Sequence, residues 1–256
     1  MNIPYEKINK GIKIFFITIA LLILFLCGVL GFYTLRGYNL YQNAISEKSI
    51  EDRVVEIKNK NNYTKIDDVP DFYIDALVAV EDHRFLIHNG IDIRSIGRAI
   101  MKNIQKKKMA EGGSTITQQL AKNILFTQEK KIERKFAELF AVKAIEEKYN
   151  KQEILELYIN SIYYGEGYYS IHEAAQGFFN KNPEDLEDAE CVVLVGLPNA
   201  PSVYSPLANP NLCKQRVRQV TKAMIDFKDL GLGYANVLEC TADVAIDEIY
   251  KTKRLK

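Results

Sequence analysis

The chain has 256 residues, with 34 Lys and Arg against 33 Asp and Glu and a formal net charge of +1. A balance this even argues against broad electrostatic capture of nucleic acid, and 47% apolar with 26% charged residues argues against bulk disorder. The length suits one sizeable domain with extensions.

The first element is residues 14–33, IFFITIALLILFLCGVLGFY, an uncharged run of about the twenty residues that a bilayer-spanning helix needs. Lys7, Lys10 and Lys13 precede it and Arg36 follows, which predicts a cytoplasmic N-terminus and export of the rest. The run is long and lacks a small-x-small cleavage site, so an uncleaved anchor is expected rather than a signal peptide. The expected organisation is a tail over 1–13, a transmembrane helix over 14–35 and a polar stalk over 36–70, with a loop at Asn59-Lys60-Asn61-Asn62. A domain over 71–210 and a helical extension over 211–256 complete it. Cys27 lies in the span, which leaves Cys191, Cys213 and Cys240, an odd set that makes no disulfide framework. No metal-ligand spacing joins them to the three histidines, Cys191 reads as a small buried hydrophobe, and pairing of Cys213 with Cys240 is left open.

From Asp71 the pattern turns helical. Asp71 is expected to cap a helix bearing Ile74, Leu77 and Val78 and ending near Glu81. His88-Asn89-Gly90 is turn chemistry, and Asp92 can cap a helix with Ile93, Ile96 and Ile100 on one stripe. Lys106-Lys107-Lys108 reads as a solvated loop or as a patch drawn to an anionic membrane surface. Gly112-Gly113-Ser114 is a hinge ending in a capping residue, followed by a helix with Ile116, Leu120 and Ile124. Residues 132–149 predict the longest soluble helix, with Phe136, Leu139, Phe140 and Lys143 along one side. Asn150 and Glu153 form a capping box, and Gly165-Glu166-Gly167 breaks the chain. Helices near 170–180 and 187–197 precede a proline-rich extended wrap over 198–210. Strand signals are sparse, so the soluble part reads as one mainly helical domain.

Two carboxylates carry the chemistry. Glu81 ends an apolar segment, where partial desolvation can tune a base, although adjacent carboxylates such as Glu81-Asp82 are usually a solvated helix end. Glu138 follows Arg134 and Lys135 at helical spacing, which a plain intrahelical ion pair would also explain. Two carboxylates facing one cleft are the equipment for chemistry at a glycosidic carbon. Ser114 beside glycines at a helix start presents free N–H groups to an anion, a weak signal by itself. Lys122, Lys130, Lys131, Arg134 and Lys135 form a dense cation set that could stabilise charge on a departing pyrophosphate.

Five segments in order then match a family: Glu81-Asp82-His83-Arg84-Phe85 with His88 and Gly90; Gly112-Gly113-Ser114-Thr115-Ile116-Thr117-Gln118-Gln119-Leu120 with Lys122 and Asn123; Arg134-Lys135 with Glu138; Lys151 and Ile154-Leu155-Glu156 to Tyr158 and Asn160; and Ala174-Ala175 with Gly196-Leu197-Pro198 and Ala200-Pro201-Ser202. Residues 63–210 resemble the peptidoglycan glycosyltransferases of glycosyltransferase family 51. The resemblance implies an almost all-helical, lysozyme-like fold with a large lobe and a small membrane-proximal jaw. It implies polymerisation of lipid II into glycan strands, with inversion and release of undecaprenyl pyrophosphate. By the same resemblance Glu81 is the general base on the acceptor 4-hydroxyl and Glu138 an auxiliary carboxylate. Lys122 and Lys130 fall at the donor pyrophosphate, Lys130 standing where arginine is common and so losing bidentate geometry. Arg84, Arg98, Ser114, Gln118, Gln119 and Arg134 match substrate-binding positions, and residues 101–111 match a mobile loop near the membrane. Expected partners are lipid II, the lipid-linked glycan, the membrane and other cell-wall synthesis proteins. A divalent cation, magnesium or manganese, assists the family, no organic cofactor is implied, and moenomycin is expected to inhibit.

Ser170 and Asn180 depart from glycine in the family pattern and should alter local turns more than chemistry. No Ser-x-x-Lys or Lys-Thr-Gly occurs, so a monofunctional enzyme without a transpeptidase domain is expected. The rivals are a lysozyme-like hydrolase or lytic transglycosylase, and a non-catalytic membrane scaffold.

Overall fold

An unbroken apolar run with no helix breaker sets the first element. The computed structural model describes residues 5–106, 113–127 and 131–254, and all its helices and turns are built from those. Helix α1 runs Tyr5–Glu47, and Lys13–Glu47 within it is long and apolar enough to cross a membrane. Ile14, Phe16, Leu21, Leu24 and Phe25 are exposed, so none of the described residues covers this face, which fits a lipid environment.

The helix does not end with the apolar run. Residues 36–47 continue it, and α2 (Ile50–Lys58) follows with Ser49 as its N-cap. The polarity of 36–70 suggested a free stalk, but Ile50, Val54 and Ile57 are buried and join the core. The lower part of α1 packs on α6 (Ile132–Lys148): Tyr33 stacks on Phe136, and Tyr38 and Tyr41 both meet Phe140. Gly37 makes this approach close, because a Cβ there would collide with Phe136 Cβ and lie 2.9 Å from the Ala137 nitrogen.

The body consists of α3 (Asp71–Asp82), α4 (Ile93–Lys106), α5 (Ile116–Leu125), α6, α7 (Lys151–Ile159), α8 (Ile171–Phe179), α9 (Asp188–Gly196), the short α10 (Pro201–Tyr204), α11 (Pro210–Lys228) and α12 (Leu232–Arg254). Among the described residues there is no strand, in line with the mainly helical class expected. The core element α9 is buried all round from Ala189 to Gly196, and α3, α11 and α12 pack about it. Tyr73 and Tyr164, both fully buried, share a hydrogen bond at 2.6 Å between α3 and the loop after α7.

Several caps fall where the residue types placed them and others shift. Asn150 and Glu153 form the capping box of α7. Asp92 accepts from the Arg94 amide at 3.0 Å and from Ser95 at 2.7 Å at the start of α4. Thr115 rather than Ser114 caps α5, in a reciprocal box with Gln118. Pro70 precedes α3, so Asp71 lies in the first turn instead of capping it. The wrap over 198–210 is interrupted by α10. Ser170 caps α8 and accepts from the Glu173 amide, while Asn180 closes that helix at φ 56°, a left-handed position that asparagine tolerates where glycine is the default.

Candidate active site

The end of α3 is held by a buried polar knot. His88 Nε2 lies 2.9 and 3.0 Å from the two oxygens of Asp82, and His88 Nδ1 accepts from the Gly90 amide at 3.1 Å. With Nδ1 accepting, Nε2 carries the proton and donates to Asp82. Asp82 Oδ2 also accepts from the Ile116 amide at 3.1 Å, which joins the start of α5 to the end of α3. Burial pushes the Asp82 carboxyl above its ordinary value, and the His88 contact opposes that shift. Thr115 Oγ1 donates to the Gly90 carbonyl at 2.6 Å and completes the knot. Asp82, His88 and Gly90 are thus the frame that fixes the direction of the preceding residue, Glu81.

Glu81 is nearly covered, with 6% of its side chain exposed. Gln119 Nε2 donates to Oε2 at 2.8 Å, and Arg216 Nη2 donates to Oε1 at 3.1 Å. Tyr158 OH donates to the Gln119 carbonyl oxygen at 3.1 Å, which fixes the amide with its NH2 toward Glu81. Both oxygens therefore accept from N–H donors, the pattern of an ionised carboxylate, since a protonated one would need an acceptor for its own hydrogen.

Glu81 borders a cleft of about 270 Å³. His83, Arg98 and Ser114 line it together with Gln219, Lys222, Asp226 and Phe227 of α11. The His83 ring stacks on Phe227 at 4.0 Å, and Arg98 Nη1 approaches His83 Nε2 at 3.3 Å. Burial and the Arg98 charge hold His83 below its ordinary pKa, so its Nε2 accepts from Arg98.

Glu138 is fully buried. Lys135 Nζ donates to its Oε2 at 2.7 Å, and Arg134 Nε lies 3.2 Å from Oε1 without a hydrogen bond, leaving both atoms unpartnered. Arg134 Nη1 donates to the Thr127 carbonyl at 3.1 Å. Lys135 Nζ also donates to Ser114 Oγ at 3.1 Å, at the rim of the Glu81 cleft. Lys122 stands within the fields of both glutamates and of Arg134 and Lys135. Burial, with those two cations, holds its ammonium below the ordinary lysine value.

The expected site residues divide accordingly. Glu81, Arg98 and Ser114 line the cleft, Gln119 holds Glu81 from behind it, and the cations Lys122, Arg134 and Lys135 gather beside it around the Glu138 carboxylate. Gln118 is buried and spends its side chain capping α5, with Oε1 accepting from the Thr115 amide at 3.0 Å. Arg84 pairs with Asp92 at 3.2 Å and is not among the cleft-lining residues. Lys130, Gly112 and the lysines at 107 and 108 lie outside the described residues. No three His, Cys, Asp or Glu side chains among the described residues are arranged to hold a metal. All four cysteines are free, with Cys191 and Cys213 buried and Cys27 and Cys240 exposed.

Residues 48–225 match the family model described as Transglycosylase. The chain belongs to the transglycosylase family. It is 43% identical to penicillin-binding protein 1A of Neisseria flavescens over 66% of this chain and 21% of that one. Penicillin-binding protein 1F of Bacillus subtilis (strain 168) is 40% identical over 77% of this chain and 28% of its own length. The chain therefore spans about a quarter of the length of the curated relatives it matches. The transglycosylase match extends through Arg216, which donates to Glu81, and through Gln219 and Lys222, which line the cleft. They lie beyond residue 210, where the motif-based family resemblance ends, and no motif residue points to them. A signal existed: Cys213, Arg216, Val217, Val220 and Met224 form the buried stripe of α11, and an arginine in such a stripe is seldom there for packing alone.

Proposed function

We propose that this chain is a membrane-anchored peptidoglycan glycosyltransferase that polymerises lipid II. The observation that carries the reading is Glu81, held as an acceptor-only carboxylate at a cleft that adjoins the Lys122, Arg134 and Lys135 cations. In the reaction, Glu81 takes the proton of the acceptor sugar's 4-hydroxyl. The freed oxygen forms a bond to the anomeric carbon of the lipid-linked chain. The bond from that carbon to the pyrophosphate breaks, the configuration inverts, and undecaprenyl pyrophosphate leaves with the electron pair.

Charge grows on the pyrophosphate as that bond breaks. Lys122 and Arg134 would stabilise it, a role supported by their position around Glu138, and fixed cations are effective because they need no reorganisation. Glu138 acts through them, holding Arg134 and Lys135 in register from a fully buried position. Lys130 is proposed for the same phosphates on the resemblance alone. Magnesium or manganese is proposed to arrive on the pyrophosphate, whose oxygens are the hard ligands such ions prefer.

A hydrolase that works through a single glutamate needs that group protonated to act as an acid, and keeps it in an apolar pocket. Glu81 has the opposite surroundings, with a guanidinium on one oxygen and an amide on the other. The exposed apolar face of α1 fits an anchor with the N-terminus inside and the site outside, where lipid-borne sugars arrive. Incubation of the full chain with purified lipid II, with and without divalent metal, tests the assignment. Long glycan product is expected; degradation of preformed glycan with no polymer would overturn it.

A further inference from the structure

Arg216 is buried, and a buried guanidinium is tolerated only when its donors are used. Nε donates to the Gly196 carbonyl at 3.2 Å, Nη1 to Gln219 Oε1 at 3.0 Å, and Nη2 to Glu81 Oε1 at 3.1 Å. The guanidinium carbon lies 5.7 Å from the centre of the Tyr204 ring. One side chain thus ties the end of α9, the α10 turn and the glutamate into a single frame. Gly196 leaves little slack, since a Cβ there would meet the Arg216 side chain at 3.0 Å.

We propose that Arg216 is a positioning residue that aims Glu81 at the acceptor hydroxyl and returns it to the carboxylate form after each turnover. The inference rests on Glu81 being the base of the reaction proposed above. When Glu81 takes the acceptor proton its charge disappears, and Arg216 loses its counter-charge in a poorly hydrated site. Passing that proton to water restores the pair, so the arginine favours the reset of the base. Gln119, on the opposite oxygen, is neutral and supplies direction alone.

The charged and titratable groups around Glu81 are Arg216 from α11, Lys122 from α5, Tyr158 from α7 and Asp82 on its own helix. Asp82 is engaged with His88, while His83 and Lys222 border the same cleft. Among the described residues Arg216 is the cation in hydrogen-bond contact with the Glu81 carboxylate.

Full-length Arg216→Gln and Arg216→Lys, assayed on lipid II from acid to neutral pH alongside thermal melts, test the role. For Arg216→Gln, kcat should fall on the order of 100-fold, as when a fixed donor to a reacting group is removed. The acid limb of kcat against pH should move up by about one unit when the cation is lost, with KM little changed. Arg216→Lys keeps a point charge without the fork, so the acid limb should stay near its native position while kcat drops by an intermediate factor. An Arg216→Gln enzyme with the native acid limb would overturn the proposal, whatever its rate. If that variant does not fold, Arg216→Lys decides: a native kcat, or a loss carried in KM, also overturns it. Glu81→Gln separates the two layers. Retained polymerisation in Glu81→Gln removes the base itself, whereas an inactive Glu81→Gln beside an unaffected Arg216→Gln removes only Arg216.

Discussion

Ser114 accepts a hydrogen bond from Lys135 at 3.1 Å, and through it two segments far apart in the chain share one site. Ser114 stands at the rim of the Glu81 cleft, and Lys135 reaches back 2.7 Å to Glu138. The two glutamates, 57 positions apart, are therefore joined by cleft wall, hydroxyl and ammonium rather than by direct contact. Lys135 is half exposed, but its partner Glu138 is buried and takes its hydrogen bond from this lysine, so Lys135→Ala should also lower the melting temperature. One charge-assisted contact is worth about 1.5 kcal/mol, so lipid II turnover should fall by about tenfold. Steady-state assays on lipid II check this, and an unchanged rate would mean that Lys135 serves Glu138 alone.

Glu81→Gln keeps the volume and the Gln119 contact but removes the base. The rate of glycan synthesis should drop on the order of 10² to 10⁴-fold. The melting temperature should fall by only a few degrees, because Arg216 keeps its Gly196 and Gln219 partners. Lipid II assays and a thermal melt on the same preparation give both numbers.

Lys122 offers a test that does not depend on turnover. Its folded-state pKa is lowered from 10.5, by burial first and then by the Arg134 and Lys135 charges, with Glu138 and Glu81 opposing. Unfolding lets this lysine bind its proton more tightly, so the charged lysine works against the fold at neutral pH. That penalty fades as pH rises through the lowered folded value and is gone above the unfolded value of 10.5. Lys122→Met should therefore melt higher than the native protein at pH 7, with the gap closing toward pH 10.5, while its donor KM rises. A melting temperature lower than native at neutral pH would contradict this account of Lys122.

Gly37→Leu probes the seam between anchor and catalytic body. The added side chain meets Phe136 and the Ala137 backbone, so α1 must part from α6 or bend. Overpacking of this kind costs about 1–3 kcal/mol. Proteolysis between α1 and the body should speed up, and lipid II polymerisation in bilayers should fall more than folding of the soluble part.

Much of this was legible in the sequence. Helix periodicity placed α6 and α9, cap chemistry placed α7, and the motif residues placed Glu81, Ser114, Gln119 and Lys122 at or beside one cleft. What local pattern cannot show is which polar group a long-range partner has already claimed. Gln118 looks like a cleft residue by spacing, yet capping uses its side chain. Arg84 sits in the same motif as Glu81, yet Asp92 holds it. Arg216 comes 135 positions after Glu81, beyond any local signal that would join them. The polar run after the anchor suggested a stalk because polarity reports exposure of one face, whereas Gly37, Tyr38 and Tyr41 dock through the other.

The unbroken α1 turns the anchor into a ruler. With residues 14–33 in the bilayer, Gly37 lies about 6 Å beyond the hydrocarbon edge at 1.5 Å per residue. Directly across that point stands Ala137, next to Glu138 and its cations. On the proposed function, one stretch of helix then sets how far above the membrane surface the cations beside Glu138 stand, and a donor lipid would meet them there without being lifted from the bilayer.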